Sequence, residues 1–229
     1  MAKSLSILIV TTSHAVLGST GKATGVWLEE LAAPYYAFRD AGASVTIASI
    51  AGGAVPIDPR SAQGDLTASV TRFLADPDAK RAVEATPAIG AADISSFDAI
   101  FLPGGHGTMW DLPESAELAA RIGQAYESGK IVAAVCHGPA GLVSAKRADG
   151  SPLVAGKRVS AFTNEEEEAA GLTEAVPFLL ETRLAELGAK IEKGPRFQPF
   201  AIRDGMLVTG QNPASSARVA ELVLEAARQ

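Results

Sequence analysis

The sequence predicts a doubly wound α/β fold, in which helices cover both faces of a mostly parallel β-sheet. Short apolar runs alternate along the chain with segments of helical character. Such alternation is typical of sheets built from strand–helix–strand units. The apolar runs are also continuous, which indicates strands that are buried on both faces. A length of 229 residues suits one such domain.

Four apolar runs are the clearest strand candidates, and three later ones are weaker. The clear candidates are residues 5–10, 44–50, 98–102 and 130–135. The second of these is rich in β-branched residues, which favour extended backbone. The later candidates are residues 158–161, 201–202 and 206–209, of which the last two form a weaker pair.

Three longer segments are predicted to be helices. Residues 114–128 begin after a proline and end before a glycine, which is the usual asymmetry of helix termini. Residues 27–40 have a helical pattern but contain Pro34, which must kink or split the helix. Residues 214–227 are predicted to form an amphipathic helix at the end of the chain.

Residues 52–96 interrupt the alternation of strands and helices. They contain four prolines and one pair of adjacent glycines, with a single helix-like patch at residues 66–74. The segment is too long for an ordinary loop between a strand and a helix. Within a single domain spanning residues 1–229, it is interpreted either as an excursion that caps a site or as a surface insertion without a functional role.

The composition argues against several classes of protein. A content of 47% hydrophobic and 20% charged residues allows a large core and argues against global disorder. A net charge of −6 argues against a nucleic-acid partner, because such binders are usually basic. No apolar run reaches the roughly 18 residues that cross a membrane, and residues 5–10 are too short for a signal-peptide core. We therefore expect a cytoplasmic protein.

The three histidines and the single cysteine all lie just past predicted strand ends. His14 follows the first strand, His106 follows the third, and Cys136 and His137 follow the fourth. In an open parallel sheet, ligands bind outside the carboxyl ends of the strands. We therefore expect the functional site at this edge of the sheet.

Cys136 is the candidate nucleophile. The small residues Ala134 and Gly138, two positions before and after it, permit a sharp turn from a strand into a helix predicted over residues 139–145. The positive end of that helix dipole, together with the imidazole of His137, would favour the thiolate and lower the pKa of the thiol. The alternative interpretation is a buried, inert cysteine.

Other groups near the strand ends could complete a site. The Pro-Gly-Gly-His-Gly turn at residues 103–107 lets backbone N–H groups approach a ligand and hold an oxyanion. A Cys–His pair usually needs a third group that orients the imidazole. The candidate carboxylates are Glu29, Glu30 and the acidic run 165–168, and these patterns do not choose among them.

No metal site is predicted. One cysteine cannot build a multi-thiolate site, and the histidines lack a paired spacing such as His-x-x-x-His. Residues 18–25 also lack the spacing of a phosphate-binding loop.

Five motifs together resemble the ThiJ/PfpI superfamily, and within it the glyoxalase III and heat-shock chaperone class. They lie in this order between residues 5 and 213: Gly25-Val-Trp-Leu-Glu-Glu30-Leu-Ala-Ala-Pro34, Pro103-Gly-Gly-His-Gly107, Ala134-Val-Cys-His-Gly-Pro139, Phe162-Thr-Asn-Glu-Glu-Glu167 and Thr209-Gly-Gln-Asn-Pro213. The resemblance implies a flavodoxin-like fold, a reaction that needs no cofactor, and a homodimer.

The resemblance also implies roles for individual residues. Cys136 matches the nucleophile, and His137 matches the histidine of the catalytic triad. Glu30 matches the glutamate that hydrogen-bonds the cysteine and shuttles protons. Glu30 has a physical rationale too: a carboxyl group beside a thiolate must be protonated, because two adjacent anions repel each other. The protonated form can donate a hydrogen bond and later relay a proton.

Further roles follow from the same resemblance. Glu167 best matches the carboxylate that orients the histidine, and Glu166 is the alternative if the register slips by one. Gly105 matches a backbone N–H donor that holds an oxyanion, and His106 is expected to line the substrate pocket or support its loops. Ala33 departs from the pattern, because many members of the class have histidine there, and this puts the choice of substrate in doubt.

The function predicted on this basis is an enzyme that acts on small reactive carbonyls. It would convert methylglyoxal to lactate without glutathione, as a lyase, or remove early glycation adducts through the same addition of the thiol. One alternative is a Cys-dependent amidase or peptidase of the type 1 glutamine amidotransferase-like fold, since a Cys–His–Glu site also suits acyl transfer. The other is a stress chaperone or redox sensor, since a reactive thiol oxidises easily.

Overall fold

A six-stranded β-sheet lies at the centre of the computed structural model, which describes residues 4–229. The strands in this part of the chain are β1 (Ser6–Thr11), β2 (Ser44–Ser49), β3 (Ala99–Leu102), β4 (Ile131–Val135), β5 (Arg158–Val159), β6 (Lys190–Ile191), β7 (Ala201–Asp204) and β8 (Leu207–Gly210). The order in the large sheet is β2-β1-β3-β4-β8-β7, and only β7 and β8 pair antiparallel. The predicted mostly parallel, doubly wound α/β fold is confirmed.

The α-helices lie on both faces of this sheet. They are α1 (Leu28–Asp40), α2 (Ala68–Ala75), α3 (Pro77–Glu84), α4 (Thr108–Asp111), α5 (Ala116–Glu127), α6 (Asn164–Ala169), α7 (Leu180–Glu186) and α8 (Ser216–Ala226). Ser115 caps α5 through a hydrogen bond to the backbone N–H of Leu118. The helix therefore begins close to the position that the sequence predicts.

Two hydrophobic cores sandwich the sheet. In β1, Ile7 and Ile9 pack into the core beneath α1 and α8, whereas Leu8 and Val10 pack into the core beneath α5 and α7. All four side chains are fully buried. Because successive side chains of a strand point to opposite faces, only a continuous apolar run can fill both cores, which explains the pattern in the sequence.

Three predicted elements differ from the observed ones. α1 is continuous through Pro34, so the helix is not split there. Pro34 is buried, and the packing of α1 on α8 and α2 offsets the missing N–H. Residues 139–145 form no α-helix, because a short 3-10 helix (Gly138–Leu142) follows β4. β5 pairs with β6 in a separate two-stranded sheet rather than joining the large sheet.

Residues 52–96 form a packed unit beside the edge strand β2. The segment holds a 3-10 helix (Pro59–Ala62) followed by α2 and α3. Its ends are tied down by backbone bridges, of which one joins Ser49 to Ala88 and another joins Val26 to Ile57. The segment thus pairs with the carboxyl end of β2 at Ser49 and brings the 3-10 helix next to the start of α1. Whether it acts as a cap stays a prediction.

In the described part of the chain, the helices are too short or too polar to cross a lipid bilayer.

Candidate active site

A cavity of about 220 Å³ opens beside the carboxyl end of β4. Of the residues predicted to form a site, five line it: Glu30, Gly105, His106, Cys136 and His137. Glu167 lies behind the two histidines and contacts both. His14 is not among the lining residues and instead stacks on Trp110, with the ring centroids 4.9 Å apart.

The sharp turn after β4 presents the Cys136 side chain to the cavity. Cys136 has a φ of +59°, which a residue with a side chain seldom adopts. Its N–H donates to Gly210 (2.9 Å), and its carbonyl accepts from Phe162 (2.9 Å). A Cβ at Gly138 would lie 2.1 Å from the Leu102 carbonyl oxygen, so the turn requires glycine there. The neighbouring strands therefore hold this strained backbone in place.

Cys136, His137 and Glu167 form a chain of polar contacts. The Cys136 sulfur lies 3.3 Å from His137 Nδ1, and His137 Nε2 lies 2.7 Å from Glu167 Oε2. His137 and Glu167 are 1% and 3% exposed, so water competes little for these contacts. Glu167 is ionised, because the two adjacent histidines hold its pKa well below its usual range despite the opposing effect of burial. The imidazole therefore donates from Nε2 and offers Nδ1 to the thiol proton.

Helix α6 separates the roles of two adjacent glutamates. Consecutive residues of a helix point about 100° apart, so Glu167 faces His137 while Glu166 faces away from the cavity. Glu166 Oε1 accepts from the backbone N–H of Phe197 (2.7 Å) and from the Asn212 side chain (2.9 Å). The other Glu166 oxygen accepts from Thr163 in a capping box. Glu166 thus ties loops together, and Glu167 is the carboxylate that meets the histidine.

Glu30 is the second group that interacts with the Cys136 thiol. It lies in the first turn of α1 and is fully buried. Oε2 accepts from the Gly104 N–H at 2.8 Å. Among the described residues, Oε1 has no hydrogen-bond partner of good geometry, and the carboxyl interacts with the Cys136 thiol. Burial raises the pKa of Glu30 to about 8, so the carboxyl is protonated at neutral pH and can donate to sulfur.

The expected lowering of the thiol pKa is wrong for this structure. Burial, reinforced by the Glu30 carboxyl, raises the pKa of Cys136 well above its usual value. The segment after Cys136 is a five-residue 3-10 helix, which supplies a weaker dipole than an α-helix would. The backbone N–H of His137 points at the sulfur and opposes the shift. The resting residue is therefore a thiol, whose proton must be removed as the sulfur attacks.

Gly105 has a backbone N–H at the cavity that Cys136 also lines. Its φ is +100°, and an added Cβ would lie 2.3 Å from the Gly25 carbonyl oxygen, so only glycine fits. Within residues 4–229, no protein acceptor pairs with the Gly105 N–H. A donor that is free of protein partners at a cavity wall can bind an anionic oxygen of a ligand.

The chain can now be compared with known proteins. A model of the DJ-1/PfpI family matches residues 22–226. The chain belongs to the DJ-1/PfpI family. This confirms the resemblance to the ThiJ/PfpI superfamily that the five motifs indicate.

Several relatives of this DJ-1/PfpI protein match it over nearly the whole chain. Glyoxalase 3 of Candida albicans is 32% identical, and the match covers 96% of this chain and 97% of that protein. Glutathione-independent glyoxalase HSP31 of Saccharomyces cerevisiae is 32% identical over 99% of both. The crystal structure of glyoxalase III from Candida albicans superposes with a TM-score of 0.89 at 29% identity, covering 97% of each chain. The X-ray structure of Francisella tularensis Rapid Encystment Protein 24 KDa gives 0.93 at 38% identity, covering 97% and 99%.

The structure adds cavity residues that the sequence patterns did not single out. Trp27, Arg60 and Phe197 line the cavity of this DJ-1/PfpI protein. Phe197 has a φ of +57° and is 46% exposed at the rim. A bulky residue in that conformation is a known marker of functional loops, but φ cannot be read from a sequence. Arg60 lies in the 52–96 segment, in the short 3-10 helix that Asp58 caps, and the sequence patterns did not link this segment to particular site residues.

Three side chains of the site also meet the distance requirement for a metal ion. Ligand atoms of His106, His137 and Glu167 lie within 4.8 Å of one another, although their spacing in the sequence gives no metal motif. A histidine that binds metal through Nε2 carries its proton on Nδ1 and donates it to an acceptor. His106 Nδ1 instead faces Arg60 Nη2 at 3.5 Å, and a guanidinium offers only donors. The surroundings of His106 therefore fit a hydrogen bond to Glu167 better than a metal.

Proposed function

We propose that this protein is a glutathione-independent glyoxalase that converts methylglyoxal to lactate. One observation carries the proposal: the Cys136 thiol contacts the imidazole of His137 and interacts with the protonated carboxyl of Glu30 at the wall of a small cavity. This arrangement has both a proton acceptor and a proton donor next to the sulfur. The near full-length similarity to curated glutathione-independent glyoxalases supports the same assignment.

The first step is addition of sulfur to the aldehyde carbon. The Cys136 proton moves to His137 Nδ1, 3.3 Å away, as the S–C bond forms. The carbonyl π electrons move to oxygen, beside the Gly105 N–H, and Glu30 then protonates that oxygen. The product is a hemithioacetal that faces an imidazolium and a carboxylate. Ionised Glu167 stabilises the imidazolium through its hydrogen bond of 2.7 Å.

The second step moves a hydrogen between the two carbons. The Glu30 carboxylate removes the proton from the former aldehyde carbon, while His137 protonates the ketone oxygen, giving an enediol. Glu30 returns its proton to the second carbon, and His137 takes the proton of the first hydroxyl, which leaves a thioester. A carboxyl whose pKa is raised to about 8 is suited to both giving and taking a proton near neutral pH.

Hydrolysis completes the turnover. Water attacks the thioester carbon and loses a proton to Glu30, the C–S bond breaks, and the thiolate regains its proton from His137. The sum is methylglyoxal plus water giving lactic acid, with every group of the protein returned to its starting state. The sequence of steps uses no cofactor.

The decisive experiment measures lactate formed from methylglyoxal without glutathione. We expect lactate from the wild type and only background from Cys136→Ala. His137→Gln should lose at least about 100-fold, whereas its matched control His14→Gln, which changes a histidine outside the cavity, should keep wild-type activity. A folded wild type with a reduced thiol that forms no lactate would contradict the proposal.

An amidase or peptidase is the second candidate. The Gly105 N–H, which is free of protein partners at the cavity that Cys136 lines, would hold the oxyanion of a tetrahedral intermediate equally well in acyl transfer. Cys136-dependent release of ammonia or peptide fragments, without lactate from methylglyoxal, would favour this reading. Removal of early glycation adducts shares the addition step with the glyoxalase reaction. The chaperone or redox-sensor alternative stays a prediction.

We also propose that the protein is a cytoplasmic homodimer. The single cysteine, which makes no disulfide, suits a reducing compartment. The dimer rests on the family resemblance, and light scattering of the purified protein tests it: a mass of twice 23.5 kDa is expected, and a single chain mass would contradict it.

A further inference from the structure

The carboxylate behind His137 also contacts a second histidine, to which the steps above assign no role. Glu167 Oε2 lies 2.7 Å from His137 Nε2, and Glu167 Oε1 lies 2.8 Å from His106 Nε2. The two imidazole rings are close to each other, with centroids 4.2 Å apart. His106 is 6% exposed, so it has little access to bulk water. Both oxygens of the triad carboxylate are thus engaged by histidine rings.

The hydrogen positions on His106 follow from its neighbours. Ionised Glu167 can only accept, so His106 Nε2 must carry a hydrogen. The other ring nitrogen, Nδ1, lies 3.5 Å from Arg60 Nη2. A guanidinium can only donate, so Nδ1 must be bare. The contacts together select the neutral Nε2–H tautomer.

Arg60 is itself held in place from the side away from the cavity. Its Nε and Nη2 donate to the two oxygens of Asp58 at 2.9 and 2.7 Å. Asp58 is fully buried and also accepts from Thr24 Oγ1 at 3.0 Å. The guanidinium also lies 5.7 Å from the centre of the Trp27 ring. A bidentate arginine–carboxylate pair of this kind fixes the orientation of the guanidinium as well as its distance from the carboxylate.

We propose that His106 is a positioning residue, which acts through Glu167, and that Arg60 keeps the His106 Nδ1 free of a proton. This rests on the proposed function, because it concerns the orientation of the base in the same site. His106 donates one hydrogen bond to Glu167 and transfers no proton. Its donation fixes one oxygen of Glu167, and the other oxygen is thereby aimed at His137. Both ring nitrogens of His106 are occupied by protein groups, so the ring offers none to a substrate.

The surroundings keep His106 neutral. The titratable and charged groups that face its ring are Glu167 on α6, His137 after β4 and Arg60 in the 52–96 segment. Burial and then the neighbouring His137 lower the pKa of His106 to about 4, with Arg60 adding to the effect. When His137 accepts the thiol proton, the positive charge therefore stays on that ring.

The first test reads the tautomer directly and needs no activity. The chain has three histidines, so the ¹⁵N spectrum of a histidine-labelled wild type holds few signals, and His14→Gln and His106→Gln assign them. We expect His106 to show a protonated Nε2 and a bare Nδ1 from pH 6 to 9. A protonated Nδ1, or titration of this ring within that range, would overturn the proposal.

The second test asks whether His106 acts through its N–H donor or only through the volume of its side chain. His106→Gln keeps a side-chain N–H donor but cannot titrate, whereas His106→Leu fills similar space without a donor. We expect kcat for Gln within about threefold of wild type, and kcat for Leu about 10- to 100-fold lower with little change in KM. If His106 only filled space, the two variants would instead have the same kcat.

A second pair of variants tests the role of Arg60. Arg60→Lys keeps a cationic donor, and Arg60→Met keeps the apolar stem alone. The Glu167 contact keeps a hydrogen on His106 Nε2 in both variants, so we expect the Met variant to take up a second proton on Nδ1 at a higher pH than wild type and to have a lower kcat, and Lys to restore both toward wild type. Equal kcat for His106→Leu and His106→Gln would overturn the proposal. If methylglyoxal is not a substrate at all, the proposed function fails, while the tautomer measurement still decides the role of Arg60.

Discussion

Glu30→Gln tests the electrostatics of the site most directly. In the wild type, burial raises the pKa of Glu30 to about 8, so the carboxyl next to the thiol is protonated at pH 7. Ionisation above that pH places a negative charge beside the sulfur, which itself becomes negative as the thiol loses its proton. It also removes the proton that the carboxyl donates to the developing oxyanion. Glutamine has nearly the same shape and is neutral at every pH.

The magnitude follows from a single ionisation at about 8. About nine-tenths of the molecules carry the proton at pH 7 and about one-tenth at pH 9, so kcat/KM should fall roughly tenfold between those values. Glu30→Gln should be slower than wild type at pH 7, since an amide cannot relay a proton. Its remaining activity should lack the fall near pH 8.

The assay is lactate formation from methylglyoxal at fixed low substrate concentration, from pH 6 to 9.5. Background conversion is subtracted with Cys136→Ala at each pH. Glu29→Gln is the matched control, because Glu29 precedes Glu30 in the same helix turn and contacts Thr67 and Ser69 away from the cavity. It should keep a basic limb, moved only slightly to lower pH, because the charge of Glu29 is the smallest of the effects on the pKa of Glu30.

Either of two results would refute the reasoning about Glu30. If the wild type shows no fall in kcat/KM between pH 7 and 9, or if the same fall persists in Glu30→Gln, then the carboxyl does not control the basic limb.

Three further outcomes are expected. The pKa of Glu30 is raised from 4.5 to about 8, so the stability that its proton contributes is fully present below pH 4.5 and is lost as the pH rises through 8. Calorimetry should therefore show that the free energy of unfolding of Glu30→Gln increases with pH relative to that of the wild type, by about 4–5 kcal/mol at pH 9. Glu166→Gln places an amide donor among groups that already donate to this buried carboxylate. Urea unfolding should therefore show that the free energy of unfolding falls by about 2–4 kcal/mol. The exposed control Glu168→Gln should lose less than about 0.5 kcal/mol. Gly105→Ala places a Cβ 2.3 Å from a carbonyl oxygen, so the variant should lose at least about 3 kcal/mol of unfolding free energy or fail to fold. Its control is Gly64→Ala, where φ is +77° but no atom lies within 4 Å of the added Cβ, and which should lose about 1 kcal/mol. Equal losses in the two variants would contradict the steric explanation.

The position of the site was predictable because it depends on local patterns. Continuous apolar runs such as residues 5–10 and 130–135 place strands in the middle of a two-sided core. Parallel strands bring their carboxyl ends to one edge of the sheet. His106, Cys136 and His137 follow such ends, and the structure brings them together at one cavity. Small residues around the cysteine also indicated the sharp turn, in which Cys136 has a positive φ.

The partners of these residues depend on contacts between distant segments. The acidic run 165–168 has glutamate at every position, so the sequence does not distinguish its members. Only the placement of α6 directs Glu167 toward His137 and Glu166 toward Asn212. Arg60 reaches His106 across 46 positions of the chain, through a segment that has no strand–helix rhythm.

The sequence by itself determined the α/β fold, the edge that carries the site and the identity of the nucleophile candidate, since hydrophobic periodicity and residue type act over short stretches of chain. The tertiary structure alone decided how those groups are charged. The pKa of Cys136 is raised rather than lowered, and that of Glu30 rises to about 8. Desolvation depends on every atom packed around a group, and no stretch of sequence near Cys136 or Glu30 contains that information.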